Sequence, residues 1–121
     1  MYILLVEDND AVRKAYKDAL ELLGHEVRDA ANGHDALLLI QGLRKKLDLI
    51  ISDLVMPKMN ALQLHDALEQ RQEGVRMLII TGYPMPSAGE TLANRPKVNW
   101  AHKPMGLDEL RELVTMYALA Q

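Results

Sequence analysis

In MYILLVEDND (1–10), six apolar residues run straight into Glu7, Asp8, Asn9 and Asp10. A short apolar run bounded by polar residues reads as a buried strand, here over 2–6. Three acids in four positions at its mouth repel one another, and desolvation strengthens the repulsion. Either these acids sit in a plain solvated turn, or something positive is held between them. The rest of the chain bears on the choice, because short apolar runs ending in polar residues recur along it.

Downstream, Val12, Ala15, Tyr16, Ala19, Leu20 and Leu23 fall at helical spacing, with Asp10 expected as the cap and Gly24 as the stop. EVRDA (26–30) reads as a polar strand suited to a sheet edge, and Asn32-Gly33 turns the chain into a helix carrying Ala36, Leu37 and Ile40. DLIIS (48–52) is the third strand, LVMPKMN the loop after it, and Ala61, Leu64 and Leu68 mark a helix closed near Gly74. RMLII (76–80) is the fourth strand. The three prolines and two glycines of 82–97 leave room only for a short helix between Ser87 and Asn94. VNWA (98–101) is the fifth strand, and Leu110, Leu113, Val114 and Tyr117 line a last helix running almost to Gln121.

Strands of nearly continuous apolar character alternating with helices call for a parallel sheet covered on both faces. Five such units favour an open doubly wound sheet, since a closed barrel needs eight. The predicted fold is α/β, a single doubly wound five-stranded parallel sheet with a short irregular fourth helix; as a (βα)5 flavodoxin-like fold it would have the order 2-1-3-4-5. A chain of 121 residues fits one domain, and 49% hydrophobic residues argue against disorder. A net charge of −3 offers no basic field for nucleic acid, and the absence of cysteine excludes disulfides and thiolate metal sites. No apolar run approaches the roughly 20 residues of a membrane span, and the start lacks the basic leader of a signal peptide. A cytoplasmic protein is expected.

Open parallel sheets place ligands at the carboxyl ends of their strands, near the point where strand order reverses. The first strand ends in Glu7 and Asp8, the third in Asp53, the fourth in Thr81 and the fifth in Lys103; the second ends in nothing reactive. Order 2-1-3-4-5 makes the first and third strands neighbours, so their acids meet. Hard oxygen donors of this kind favour Mg²⁺, or Mn²⁺, with coordination left open for a phosphate.

Together, Glu7-Asp8, Asp53-Leu54-Val55-Met56-Pro57, Thr81-Gly82 and Lys103-Pro104 resemble the receiver domain of two-component response regulators, over the whole chain 1–121. The resemblance implies that Asp53 accepts a phosphoryl group from a histidine kinase or phosphotransfer domain. It implies that Glu7, Asp8, Asp53 and the Val55 backbone carbonyl hold the metal, while Lys103 and the Thr81 hydroxyl contact the phosphoryl oxygens. Gly82 keeps the pocket open, and Val55 and Tyr83 stand at the positions that tune hydrolysis, which suggests slow autodephosphorylation. Trp100 replaces the Tyr or Phe switch residue of most receivers, and Met105 replaces the aromatic often found after Lys-Pro. As an isolated domain the chain is expected to be no enzyme beyond this self-catalysed transfer.

Two other classes compete. A metal-dependent hydrolase typically carries D-x-D after a strand, whereas Asp53 is followed by Leu54 and Val55. A flavodoxin-like cofactor binder needs a hydroxyl- and glycine-rich loop where this chain has Glu7-Asp8-Asn9-Asp10, whose three acids repel phosphate. No output domain is expected within residues 1–121. Both a freestanding regulator and a receiver from a hybrid sensor kinase, with an unknown downstream protein or attached output domain, therefore stay open.

Overall fold

The computed structural model describes residues 1–56, 58–70, 75–82 and 97–120. Its elements run β1 (Tyr2–Val6), α1 (Asp10–Leu22), β2 (Glu26–Ala30), α2 (Gly33–Gln41), β3 (Leu49–Asp53), α3 (Ala61–Gln70), β4 (Arg76–Thr81), β5 (Val98–His102) and α4 (Leu107–Leu119). The five strands form one all-parallel sheet in the order β2-β1-β3-β4-β5. The predicted architecture is the observed one. Strands one, three and four are buried along almost their whole length because both faces are covered, which is why they read as continuous apolar runs.

Successive side chains alternate between the two faces. Leu4, Val6, Ile50, Met77 and Ile79 join Ala36, Ile40, Leu64 and Leu68 under α2 and α3. Ile3, Leu5, Ile51, Leu78 and Ile80 join Leu20, Leu110 and Val114 under α1 and α4. Each fully buried Leu or Ile contributes about 1.5–3 kcal/mol relative to exposure, so these two layers carry the stability.

Local chemistry fixes the ends. Gly24 at φ +94° turns the chain from α1 into β2, a conformation that side chains resist. Asn32 caps α2 by accepting from the Asp35 N–H at 2.8 Å. Gly33 is required by contact, since a Cβ there would collide with the carbonyl oxygen of Met59 in the loop after β3.

Several details differ from expectation. Asn9, and not Asp10, caps α1: its Oδ1 accepts from the Val12 N–H at 3.0 Å, while Asp10 turns outward to Arg13. Ala15 and Leu23 lie exposed, because the buried stripe narrows to Ala19 and Leu20 with Val12 and Tyr16 at its margin. β3 lies one residue later than expected and so ends on Asp53 itself. Near the end of β2, Asp29 pairs with Arg13 and Lys17. Met105 is buried in the apolar layer beside α4. The expected stop at Gly74 and the short helix at Ser87–Asn94 lie outside the described residues, as does Pro57.

Candidate functional site

Strand alternation decides which side of the sheet the polar tips occupy. Ile3 and Leu5 lead by twos to Glu7, Leu49 and Ile51 to Asp53, and Ala101 to Lys103, and all five apolar members belong to the layer under α1 and α4. Three separate strands therefore aim a charged residue at the same side of the same sheet end. Glu7, Asp8 and Asp53 each place a carboxylate oxygen within 4.8 Å of the others. Lys103 Nζ lies 3.0 Å from Asp53 Oδ1.

The electrostatics of this group are unfinished. Glu7 is 4% exposed and Asp53 6%, while Asp8 faces solvent. Glu7 Oε2 and Asp53 Oδ2 are buried with no hydrogen-bond partner. Burial pushes the Asp53 carboxyl above its ordinary value, and the neighbouring Lys103 ammonium pulls it back only in part. Three carboxylates against one ammonium leave two negative charges in a partly desolvated pocket. Leaving such oxygens unpaired costs several kcal/mol, and a divalent cation with oxygen preference would answer both the charge and the orphaned atoms. The residues fit Mg²⁺ or Mn²⁺.

Thr81 is buried at the tip of β4, and its carbonyl accepts the Lys103 N–H at 2.8 Å, which ties the β5 turn to it. A Cβ at Gly82 would meet nothing within 4 Å, so the space beside Thr81 is open. Val55 exposes its side chain on the loop after β3. Trp100 is half-buried on β5 opposite Ile79, and its Nε1 has no partner. Tyr83 lies outside the described residues.

Two side chains at the pocket were not singled out from the sequence as site residues. Arg13 donates to the Glu7 carbonyl at 2.8 Å, to Asp29 at 3.1 Å and to Asp10 at 2.6 Å. Tyr16 Oη donates to the Met105 carbonyl at 2.8 Å. An arginine on the inward side of an amphipathic helix was the available signal for the first. Tyr16 read simply as part of the apolar stripe.

Comparisons with known proteins place the chain in a family. The family model of the response regulator receiver domain matches residues 3–115, and the chain belongs to that family. The sensor kinase CckA of Brucella abortus is 33% identical over 112 residues, 93% of this chain but 12% of its own length. The response regulator protein FleR of Pseudomonas aeruginosa is 32% identical over 119 residues, 98% of this chain and 25% of its own. The crystal structure of the receiver domain from the hybrid histidine kinase CckA superposes with a TM-score of 0.81 at 30% identity, covering 97% of this chain and 98% of that one. The chain is thus a receiver domain of two-component signalling, a module found in both hybrid kinases and response regulators. It spans a small part of these curated relatives. Among the described residues no helix is long and apolar enough to cross a membrane.

Proposed function

We propose that Asp53 is the phosphoacceptor of this receiver. One Asp53 carboxylate oxygen forms a bond to phosphorus, the phosphorus–nitrogen bond of the donor's phosphohistidine breaks, and the electron pair leaves with the imidazole. The product is an acyl phosphate on Asp53. A divalent cation held by Glu7, Asp8, Asp53 and the Val55 backbone carbonyl would neutralise the charge shared by donor and acceptor. Lys103 brings a point charge to a phosphoryl oxygen and holds Asp53 oriented until the donor arrives, and the Thr81 hydroxyl donates to another oxygen. Gly82 leaves room for the group.

The observation that carries this reading is the pair of buried, unpartnered oxygens on Glu7 and Asp53 beside the Lys103 ammonium. A metal-dependent hydrolase would typically carry D-x-D after a strand, whereas here Asp53 is followed by Leu54 and Val55. The partner is a histidine kinase or a phosphotransfer protein in the cytoplasm. The modified domain would shift a pre-existing equilibrium between two conformations and so change what it contacts, downstream or within a larger protein. The likeness to a sensor kinase favours, as a second reading, a receiver carried by a hybrid kinase. With Val55 and Tyr83 at the tuning positions, the acyl phosphate should be long-lived, and a Val55→Asn/Tyr83→Ala variant with an unchanged half-life would remove that point.

The test uses acetyl phosphate with Mg²⁺, followed by mass spectrometry of the peptide containing Asp53. One phosphoryl group on that residue is expected, with none on Asp53→Asn and none when the metal is chelated. Phosphoryl transfer that persists in Asp53→Asn overturns the assignment.

A further inference from the structure

Two side chains one turn apart on α1 reach main-chain carbonyls in two different turns of the acidic pocket. Arg13 Nη1 holds the carbonyl of Glu7, in the turn that carries Glu7 and Asp8. Tyr16 Oη holds the carbonyl of Met105, two residues beyond Lys103. Residues at i and i+3 share a helix face, and Tyr16 packs against the same apolar layer that leads by strand alternation to Glu7, Asp53 and Lys103.

Each turn is also held from its other side. The Glu7 N–H donates to the Ala30 carbonyl at 3.1 Å, and the Lys103 N–H donates to the Thr81 carbonyl at 2.8 Å. Arg13 is itself fixed, its Nε on Asp29 and its Nη2 on Asp10, and Lys17 Nζ takes the second oxygen of Asp29 at 3.4 Å. Three acceptors for one guanidinium use a planar fork that a lysine lacks. Burial pushes the Tyr16 phenol above its ordinary value, with Lys103 opposing the rise and Glu109 adding to it.

We propose that α1 acts as a brace across the site: Arg13 is the positioning residue for the metal-binding acids, and Tyr16 is the positioning residue for Lys103. The proposal rests on the reading of the pocket as a divalent-cation and phosphoryl site. Mg²⁺ demands near-ideal octahedral geometry, so a loosened acid turn weakens its binding. A loosened lysine turn leaves the metal where it is and misplaces the charge that meets the phosphoryl group. The two effects therefore separate.

The test measures two quantities on the intact chain: the Mg²⁺ dissociation constant by calorimetry without phosphodonor, and the maximal rate of Asp53 phosphorylation by acetyl phosphate at saturating Mg²⁺. Arg13→Lys keeps the charge but loses the fork, and should raise the Mg²⁺ dissociation constant by about tenfold. Tyr16→Phe removes one hydroxyl, should leave the Mg²⁺ constant unchanged and should lower the maximal rate by roughly tenfold. Melting temperatures in EDTA show whether either variant has simply lost stability. Wild-type values of both quantities in both variants, or weaker Mg²⁺ binding and slower phosphorylation that appear together in each variant in proportion to its lost melting temperature, overturn the brace. A wild-type chain that neither binds Mg²⁺ nor is phosphorylated overturns the site reading and the brace together, and that outcome is distinguishable from the others because it appears before any substitution.

Discussion

The middles of the strands and their carboxyl tips are built on opposite terms. Between Leu49 and Ile51, β3 buries three side chains completely, and its neighbours at Leu4 and Met77 are equally enclosed. Two residues later the same strand ends in a buried carboxylate whose Oδ2 has no partner, facing two further acids. The middles are satisfied and the tips are not. Stability made in the apolar layers lets an electrostatically strained pocket persist above them, as expected where function needs an arrangement that folding alone would avoid.

The largest effect expected from breaking this contrast is at Asp53. Asp53→Asn should lose phosphorylation completely and yet melt higher than wild type in EDTA at neutral pH. The sign follows from the raised carboxyl of Asp53. With the folded value above the unfolded one, near 3.9, the folded state binds the extra proton between the two, and stability falls as pH rises through that window. At neutral pH the buried charge is therefore a cost that asparagine removes, and the advantage should vanish at about pH 3, where the acid is neutral in both states. A lower melting temperature for Asp53→Asn at neutral pH would mean that the ion pair with Lys103 outweighs burial.

In the apolar layer the expectation reverses. Ile50 is fully enclosed at the centre of β3. Ile50→Ala should cost about 2–5 kcal/mol in urea unfolding, through lost transfer energy plus the cavity left behind. Below its unfolding transition the variant should bind Mg²⁺ with near wild-type affinity, since the cavity opens beneath α2 and α3 and the acids face the other layer. Weakened binding in the folded variant would show that tips and middles are not independent.

The same contrast explains what the sequence disclosed. Apolar runs such as RMLII and DLIIS announce strands because burial on both faces needs nothing but hydrophobicity, so the number of strand–helix units and the chemistry of the strand ends followed from counting, whereas the strand order was supplied by the resemblance. Glu7, Asp53 and Lys103 were legible because each abuts such a run, and the structure brings them together. The contacts that Arg13 makes with the Glu7 turn and Tyr16 with the Met105 turn were not, because both end on a backbone carbonyl, and carbonyls leave no mark in a sequence. The cap of α1 was misplaced for a related reason. Asn9 and Asp10 are both good cap residues, and only the backbone angles of Asn9, extended at φ −80° and ψ 114°, decide between them.

A smaller effect is expected where the two regions touch. Gly33, at the start of α2, sits against the carbonyl of Met59 in the loop that leaves the tip of β3. Gly33→Ala should cost about 1–3 kcal/mol, because the obstacle is backbone and must move as a unit. The displaced loop carries Val55, so the variant should also lose Mg²⁺ affinity, in contrast to Ile50→Ala. Unchanged affinity would place the loop's metal-facing part beyond the reach of α2.

The smallest effect separates neighbours in sequence. Asn9 directly follows the pocket acid Asp8, yet its side chain serves the helix by accepting from the Val12 N–H. Asn9→Ala should cost about 1 kcal/mol of stability and leave phosphorylation unchanged. Asp10 is 88% exposed, and its contact with Arg13 is one of three that the guanidinium makes. Asp10→Ala should therefore cost no more than about 0.5 kcal/mol. The neutral amide at position 9 also has a use: an aspartate would cap the helix equally well but would add a further negative charge next to Asp8, where three carboxylates already repel. If Asp10→Ala proves the more damaging of the two, the helix begins one residue later than its dihedral angles indicate, and position 9 belongs with the pocket after all.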